Sequence, residues 1–332
     1  MDRMRGMKGR WGRLALAGAW LLCAPTALAS GNDVALREAT CSFPAMIDDL
    51  RAALKTGSPT FKLYMRTLLK EAALAMPPEA LLAAYEQERD PAVLEVLGVA
   101  LATKSSNINA PQLIRPLLSR AMKDADPSLR AAALRGLRGT GSVELIAKHA
   151  DLTSYEQLIR DPAPEVRLAV VENIIEENAK VYYGHHAPVT EAAVAVAVAA
   201  PTPELAAKLL REVSLEQAGA EAVSQVTRQL KSDDPNLRTA AAMALGGVPS
   251  TEASSTKSSL VELYRGERSP AVRKAILQSI ARLGFAGSVP VLESLRGVDS
   301  SLAPEIDAWI KALRLPLQEW SMIQREKERL LK

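Results

Sequence analysis

Aromatic residues, histidine and cysteine are scarce in this sequence of 332 residues. Aromatic residues make up 4% of the chain, which has 3 histidines and 2 cysteines. This leaves little material for a site that pairs a nucleophile with a general base. The sequence also lacks the His-Glu-x-x-His, Cys-x-x-Cys, Gly-x-Ser-x-Gly and Gly-x-x-x-x-Gly-Lys motifs. We therefore expect a protein that is not an enzyme and that holds no metal or cofactor.

Long apolar runs are absent too: no stretch reaches the 18 residues of an ordinary membrane span. The first 29 residues instead have the features of a secretory signal. A basic start precedes the uncharged stretch Leu14–Ala24, and Ala27-Leu28-Ala29 offers a small-x-small cleavage site. We expect cleavage before Ser30, with a retained anchor as the alternative. The chain would then lie in the periplasm or outside the cell, with no stable membrane span.

An excess of positive charge is missing once this signal is removed. Residues 1–29 carry five basic residues and one acidic residue, so their removal changes the net charge of the chain from +3 to −1. A protein that binds nucleic acid normally has a basic excess or patch, so we expect none here. Of the two cysteines, Cys23 leaves with the signal. Cys41 is then either a free thiol or a partner for another chain.

Prolines, by contrast, recur with a period. Intervals of 32 to 39 residues, with a mean of 35, separate eight of them, which we call the ladder prolines: Pro59, Pro91, Pro127, Pro164, Pro203, Pro235, Pro270 and Pro304. After a ladder proline, apolar residues follow at positions +2, +6, +7 and +10, as in Leu129, Ala133, Leu134 and Leu137. This spacing is typical of one stripe of an amphipathic helix.

The residues before the prolines indicate where these helices begin. Proline suits the first helical position, and a preceding Asp or Ser can cap the exposed N–H groups. Such a residue occurs at Ser58, Asp90, Asp126, Asp234 and Ser269. We expect the helices at Pro164, Pro203 and Pro304, which lack one, to begin less sharply.

A second helical stretch between successive ladder prolines completes each repeat. Because one hairpin cannot bury its apolar stripes alone, the hairpins must stack. The sequence predicts an all-α solenoid of about eight hairpins over residues 30–316, followed by a C-terminal capping helix over 317–332. A coiled-coil docking segment is the alternative for 317–332. The Ala/Val alternation of Glu191–Ala200 resembles a strand pattern, but within this array we predict a buried helix.

Four segments carry a family resemblance: residues 126–132, 164–169, 234–240 and 269–275, each with Leu or Val two residues after the proline and Arg three after it. They resemble HEAT repeats, and most closely the short HEAT-like type named from phycobilin lyases. The resemblance implies that these helices line a concave face, with an Asp–Arg ladder between neighbouring units. The ladder arginines would be Arg130, Arg167, Arg238 and Arg273. Leu94, Ala206 and Asp307 replace the arginine in other units, so we do not expect a continuous ladder.

Two roles are open for these four arginines. Asp126 precedes Arg130 by four residues and Asp234 precedes Arg238 by four, a spacing that allows stabilising ion pairs along one helix. Structural ladder pairs and direct contact with a partner can coexist on one face.

The longest interval, between Pro164 and Pro203, contains an aromatic and histidine-rich loop. Its Tyr182, Tyr183, His185 and His186 lie beside turn-forming residues, as in loops that bind partners on rigid scaffolds. This loop is therefore an ordinary connection, a partner contact or, with less support from spacing, a metal site.

Taken together, the pattern favours an exported scaffold that binds a protein or peptide along its concave face, with those four arginines and this loop as candidate contacts. A lyase-like or chromophore-handling protein, and a binder of metal or small ligands through residues 182–186, are the alternatives.

Overall fold

A computed structural model describes residues 42–107, 110–149, 153–179 and 187–332. The described residues fall into two compact units, which divide between Ala73 and Leu74. In the part of the chain that is described, every regular element is a helix. The predicted all-α class is thereby confirmed. The predicted signal segment and Cys41 lie outside the described residues, as do Tyr182, Tyr183, His185 and His186.

The first unit contains α1 (Phe43–Thr56) and the greater part of α2 (Pro59–Ala75). The Ser42 hydroxyl caps α1 by accepting from the N–H of Ala45, and the Ser58 hydroxyl accepts from the N–H of Phe61. Leu50, Leu69 and Ala73 are buried.

The second unit is a stack of helix pairs. Its α-helices, in chain order, are α3 (Pro78–Gln87), α4 (Pro91–Asn107), α5 (Arg115–Lys123), α6 (Pro127–Arg135), α7 (Ser142–His149), α8 (Thr153–Leu158), α9 (Pro164–Ala179), α10 (Ala187–Ala199), α11 (Pro203–Glu212), α12 (Ala220–Gln229), α13 (Pro235–Leu245), α14 (Ser250–Gly266), α15 (Pro270–Gly284), α16 (Val289–Leu295), α17 (Ala303–Leu313) and α18 (Trp320–Leu331). Short 3₁₀ turns lie at Pro111–Leu113, Phe285–Ser288 and Ser300–Leu302.

The helices that contain the ladder prolines form one continuous layer of this unit. We call them the ladder helices: α4, α6, α9, α11, α13, α15 and α17. Each packs against the next, and a companion helix that precedes it in sequence packs on its other side. Pro304 is the second residue of α17, and the other six prolines each begin their helix. The proline period therefore marks the repeat, as predicted.

Small apolar side chains fill the space between the ladder helices. Ala131–Leu134 of α6 and Ala240–Ala242 of α13 are fully buried. The Ala/Val-rich segment forms α10, whose Val194 and Val196 are also fully buried, so the predicted helix at this position is confirmed. One detail differs from a simple hairpin, because two short helices, α7 and α8, together precede α9.

Among the described residues, the helical stretch Pro270–Leu295 is long and apolar enough to cross a membrane by length and composition alone. In the structure this stretch is α15, a 3₁₀ turn and α16. Its fully buried residues include Ile276, Leu277 and Leu292, and α15 packs against α13 and α14. Buried core helices pass the same length test.

Candidate functional site

The N-terminal turns of the ladder helices carry the four arginines that the sequence singles out. Arg130, Arg167, Arg238 and Arg273 each lie three residues after a ladder proline, and each is partly buried. In Arg130, Arg167 and Arg238, the Nη1 group binds the turn that precedes the arginine's own helix. Nη1 donates to the carbonyl oxygens two and three residues before the proline, at 2.7–3.3 Å.

The other arm of Arg130 reaches the next repeat. Its Nε and Nη2 donate to the two carboxylate oxygens of Asp161 at 3.0 and 2.9 Å. Arg238 binds Glu267 in the same bidentate way, at 2.7 and 3.0 Å. Such fork-to-fork geometry is the strongest form of this ion pair. Each of these arginines therefore ties two successive turns together.

The acids of these pairs also organise their own turns. Asp161 and Glu267 both lie three residues before a ladder proline. Asp161 accepts from the N–H of Ala163, and Glu267 accepts from the N–H groups of Arg268 and Ser269. One carboxylate thus satisfies backbone donors of its own turn and the arginine of the preceding repeat.

Electrostatics follow from these contacts. The Arg238 hydrogen bonds lower the pKa of Glu267 below its ordinary value, against the opposing effect of burial. For Asp161, burial raises the pKa, but the hydrogen bonds from Arg130 and from the Ala163 N–H outweigh it, so the pKa is lowered. Both carboxylates are charged at neutral pH.

A third pair has a different geometry. Arg273 Nη1 donates to Asp299 at 2.5 Å, while its Nε is buried without a hydrogen-bond partner. The guanidinium carbon lies 5.4 Å from the centroid of the Tyr264 ring, a cation–π distance. Hydrogen bonds from the Ser301 hydroxyl and from Arg273 lower the pKa of Asp299.

The ladder is interrupted at Arg167. The position three residues before the proline, which holds an acid in the turns before α4, α6, α9 and α15, is occupied by Ala200 in the turn before α11. In the described part of the chain, Arg167 forms hydrogen bonds only through Nη1, to Asp161 O at 2.7 Å and Pro162 O at 2.9 Å. Its Nε and Nη2 have no carboxylate partner there. Leu168, the next residue, is 44% exposed.

Asp126 and Asp234 do not form the ion pairs along one helix that their four-residue spacing suggests. Asp126 accepts from the N–H of Ser128, and Asp234 accepts from those of Asn236 and Leu237. Both are helix caps. The carboxylate that binds Arg130 is Asp161 and the one that binds Arg238 is Glu267, both from the next repeat, and spacing along one helix does not indicate these pairs.

Cap prediction was correct at most of the ladder prolines and wrong at two. The Thr202 hydroxyl accepts from the N–H of Leu205 at 3.4 Å. The Pro203 helix therefore has a side-chain cap, although none is predicted for it above. Ser269 makes no cap bond with its side chain, although it precedes the proline as Asp126 and Asp234 do.

A second feature of the ladder layer is a cleft at the opposite ends of the helices. It has a volume of about 280 Å³, and residues from α9, α11, α13 and α15 line it. Its lining includes Ile175, Arg211, Glu212, Met243, Gln278 and Arg282. Sequence reasoning did not find this cleft, because its residues come from four different repeats.

Metal binding has no counterpart in the described residues, which contain no group of three or more His, Cys, Asp or Glu side chains able to hold an ion. Tyr182, Tyr183, His185 and His186, the other sequence-derived candidates, are outside this part of the chain.

Comparison with known proteins gives little beyond the fold itself. No family model matches the chain, and no curated protein matches it. Among solved structures, one titled YIBA_ECOLI is 12% identical, with a TM-score of 0.43 over 87% of this chain and 94% of that chain. An engineered protein is 14% identical, with a TM-score of 0.27 over 86% of this chain and 98% of that chain.

Kap121p is 11% identical, with a TM-score of 0.29, and the match covers 88% of this chain and 42% of that chain. All three TM-scores are below 0.5, so these similarities carry no argument. The architecture rests on the chain's own helices, and these show a helical-repeat protein.

Proposed function

We propose that this chain is an exported, non-enzymatic HEAT-like scaffold that binds a protein or peptide partner on its ladder helices. The observation that carries the proposal is the interrupted ladder at Arg167. Here a guanidinium group is held by its own turn, its remaining donors bind no acid among the described residues, and an exposed leucine lies beside it.

Packing supports the choice of the ladder helices as the binding face. Helices α11, α13 and α15 pack on one another more extensively than the companion helices α12 and α14 do. In a curved two-layer stack, the more closely packed layer is on the inside of the bend, and solenoids bind partners on such concave surfaces.

The Nε and Nη2 donors of Arg167 and the exposed Leu168 indicate which side chains the partner would present. A carboxylate that occupied the place of the missing ladder acid would receive the Nε and Nη2 donors, as Asp161 does from Arg130. An apolar side chain of the partner would cover Leu168. The partner is therefore expected to present an acidic residue beside an apolar one.

Cross-linking in the cells that produce the protein tests this proposal. The tagged chain and its Arg167→Glu variant would be cross-linked, purified and compared by mass spectrometry. Arg228→Glu is the matched control, because Arg228 is an exposed arginine on companion helix α12. We expect one partner to be lost with Arg167→Glu and retained with Arg228→Glu. Equal recovery with all three chains would contradict the proposal.

Export requires its own test. Intact-mass measurement of the tagged protein from the envelope or medium should give a chain that begins at Ser30. A full-length chain recovered from the cytoplasm alone would remove export from the proposal and leave the binding experiment unaffected.

A further inference from the structure

The cleft among α9, α11, α13 and α15 has an unusual distribution of charge. Arg211 lies in the last turn of α11 and Arg282 in the last turns of α15, and neither forms an ion pair or a side-chain hydrogen bond within the described residues. Glu212 is the one acid among the lining residues. Two guanidinium groups therefore face a shared space with an excess of positive charge.

The rest of the lining is apolar or neutral. Ile175, Val213, Leu215 and Met243 contribute apolar surface, and Met243 is 40% exposed although it belongs to a ladder helix. Gln278 and Ser214 add neutral polar groups. The cleft thus combines an apolar surface with cationic groups, a combination that suits a ligand with both apolar and anionic parts.

Size favours a peptide over a free small molecule. At about 280 Å³, the cleft is slightly below the ~300–1,000 Å³ of pockets that enclose drug-sized ligands. That volume suits one or two side chains of a longer segment whose remainder lies on the protein surface.

Position links the cleft to Arg167. Eight residues along α9 separate Arg167 from Ile175, which corresponds to about 12 Å of helix. An extended peptide covers roughly 3.3–3.6 Å per residue, so about four residues span this length of helix, and a somewhat longer segment reaches the Arg167 guanidinium group, which is bonded to the turn before α9. A single partner segment can therefore contact both.

From these observations we infer that the cleft is a second anchoring site for the partner segment, and that it accepts a carboxylate of the peptide at Arg211 and Arg282 with an adjacent apolar side chain against Met243 and Ile175. The inference rests on the proposed function, since it assumes a peptide ligand on the ladder layer. It adds the class of ligand, an acidic and apolar peptide, and the place where it binds.

Selection from a phage-displayed library of random heptapeptides, with the purified chain from Ser30 onwards as bait, tests the inference. We expect enrichment of peptides in which Asp or Glu neighbours Leu, Ile, Met, Val or Phe. A synthetic, dye-labelled copy of an enriched peptide would then be titrated by fluorescence anisotropy. Enrichment without acidic residues, or no enrichment at all, would overturn the inference.

Variants locate the peptide. The Arg211→Ala/Arg282→Ala double variant should weaken binding at least about tenfold, because it removes charge-assisted hydrogen bonds. Arg228→Ala should leave binding unchanged. Since neither cleft arginine bonds to the described protein, circular dichroism should show an intact fold. Replacing the acid of the peptide by its amide should cause a similar loss with the unaltered chain, and equal binding of the two peptides would overturn the inference without any variant.

The two proposals fail in different ways. If Arg167→Glu abolishes partner capture in cells while the cleft double variant binds the selected peptides normally, the cleft inference is wrong and the scaffold function stands. If the selected peptides require the cleft arginines but no partner depends on Arg167, the cleft remains a peptide site and the ladder position is wrong.

Discussion

A ladder arginine gains its value from binding two turns at once. Arg238 donates through Nη1 to the carbonyl oxygens of its own turn and through Nε and Nη2 to Glu267 of the next. Glu267 is 4% exposed and Arg238 17%, so solvent screens this pair weakly. Because each partner also has other hydrogen bonds, the pair lies in a network whose loss leaves several buried polar groups unsatisfied.

Substitution of the ladder acid should therefore destabilise the fold. Glu267→Gln retains an oxygen for the N–H groups of Arg268 and Ser269 but removes the charge that faces Arg238, and we expect a loss of about 1–3 kcal/mol. Arg167→Ala, which breaks no ion pair in the described structure, should cost less. Urea unfolding monitored by circular dichroism measures both. Equal losses would contradict the distinction between paired and unpaired ladder arginines.

The same pair predicts a dependence on pH. The pKa of Glu267 is lowered in the folded chain from an ordinary value of 4.5, chiefly by the Arg238 hydrogen bonds. A lowered folded pKa contributes stability that is present above the unfolded pKa and is lost as the pH falls through the folded value. The Tm difference between the unaltered chain and Glu267→Gln should thus be largest above about pH 5 and shrink in more acidic buffer. A difference that is independent of pH would contradict the charged pair.

Residue-level prediction from the sequence was strongest where chemistry is local. Asp126 and Asp234 were recognised as caps from their position before a proline, and the structure gives them that role. The acids that pair with Arg130 and Arg238 belong to the following repeat, so spacing along one helix could not reveal them. The signal was nevertheless available, because Asp161 and Glu267 occupy the same position in their repeats, three residues before the proline.

At the scale of elements, contact positions recur between successive ladder helices. In α6, α9 and α15, the residue nine positions after the proline contacts the preceding ladder helix. The contact there is with the backbone of the residue seven positions after that helix's own proline. Asn173 donates to Leu134 O at 2.7 Å and Ser279 donates to Ala242 O at 2.7 Å. At the α4–α6 crossing the same two positions are Gly98 and Gly136, and a Cβ atom added at Gly136 would lie 2.9 Å from Gly98 Cα.

This close approach gives a prediction for helix packing. Gly136→Ala should force α4 and α6 apart and cost about 1–3 kcal/mol through overpacking. Gly266→Ala is the control, because an added Cβ there meets nothing within 4 Å, and its effect should be small or stabilising. Thermal unfolding of both variants compares them. If Gly136→Ala were as stable as the control, the two backbones would not be in contact.

The last helix is held by aromatic stacking. Trp320 of α18 lies parallel to Trp309 of α17, with ring centroids 5.4 Å apart, and Phe285 meets Trp320 edge-on. Lys327 lies 5.0 Å from the Trp309 ring centroid and forms an ion pair with Glu305. These contacts cover Trp309, which is 1% exposed.

Trp320→Ala should therefore loosen α18 and destabilise the chain by about 1–3 kcal/mol. A chain that begins at Ser30 retains only these two tryptophans, so its fluorescence reports this contact directly. We expect the emission of Trp309 to shift to longer wavelength in the variant as water reaches the ring. Phe61→Ala, on the exposed part of α2, is the control. An unchanged emission maximum in the Trp320 variant would contradict the packing of α18 on α17.

Helices were predictable from the sequence because period and proline position act locally. The apolar spacing after each ladder proline identified the ladder helices, and the repeat context identified α10 in spite of its strand-like alternation. The division of one companion helix into α7 and α8 was missed, as was the cleft at Arg211 and Arg282. Both depend on how neighbouring repeats meet, which a pattern read within one repeat does not contain.

At the scale of the whole molecule, a stack of repeats limits how far a perturbation spreads. In the described part of the second unit, each ladder helix packs mainly on its neighbours in the stack and on its companion. The stability of such an array is close to a sum of repeat terms and nearest-neighbour terms. A substitution at one junction should therefore weaken that junction and leave distant repeats intact.

Hydrogen exchange measured by mass spectrometry can test this locality. In Glu267→Gln, the amides of α13, α14 and α15 should lose protection, because the lost ion pair joins Arg238 of α13 to the turn before α15. The amides of α4 and α6, several repeats away, should exchange as in the unaltered chain. Gly136→Ala should give the reverse pattern, since its contact lies between α4 and α6. If both variants lost protection evenly along the second unit, that unit would unfold as one cooperative domain, and a partner bound at the cleft would then stabilise every repeat equally rather than chiefly α9 to α15.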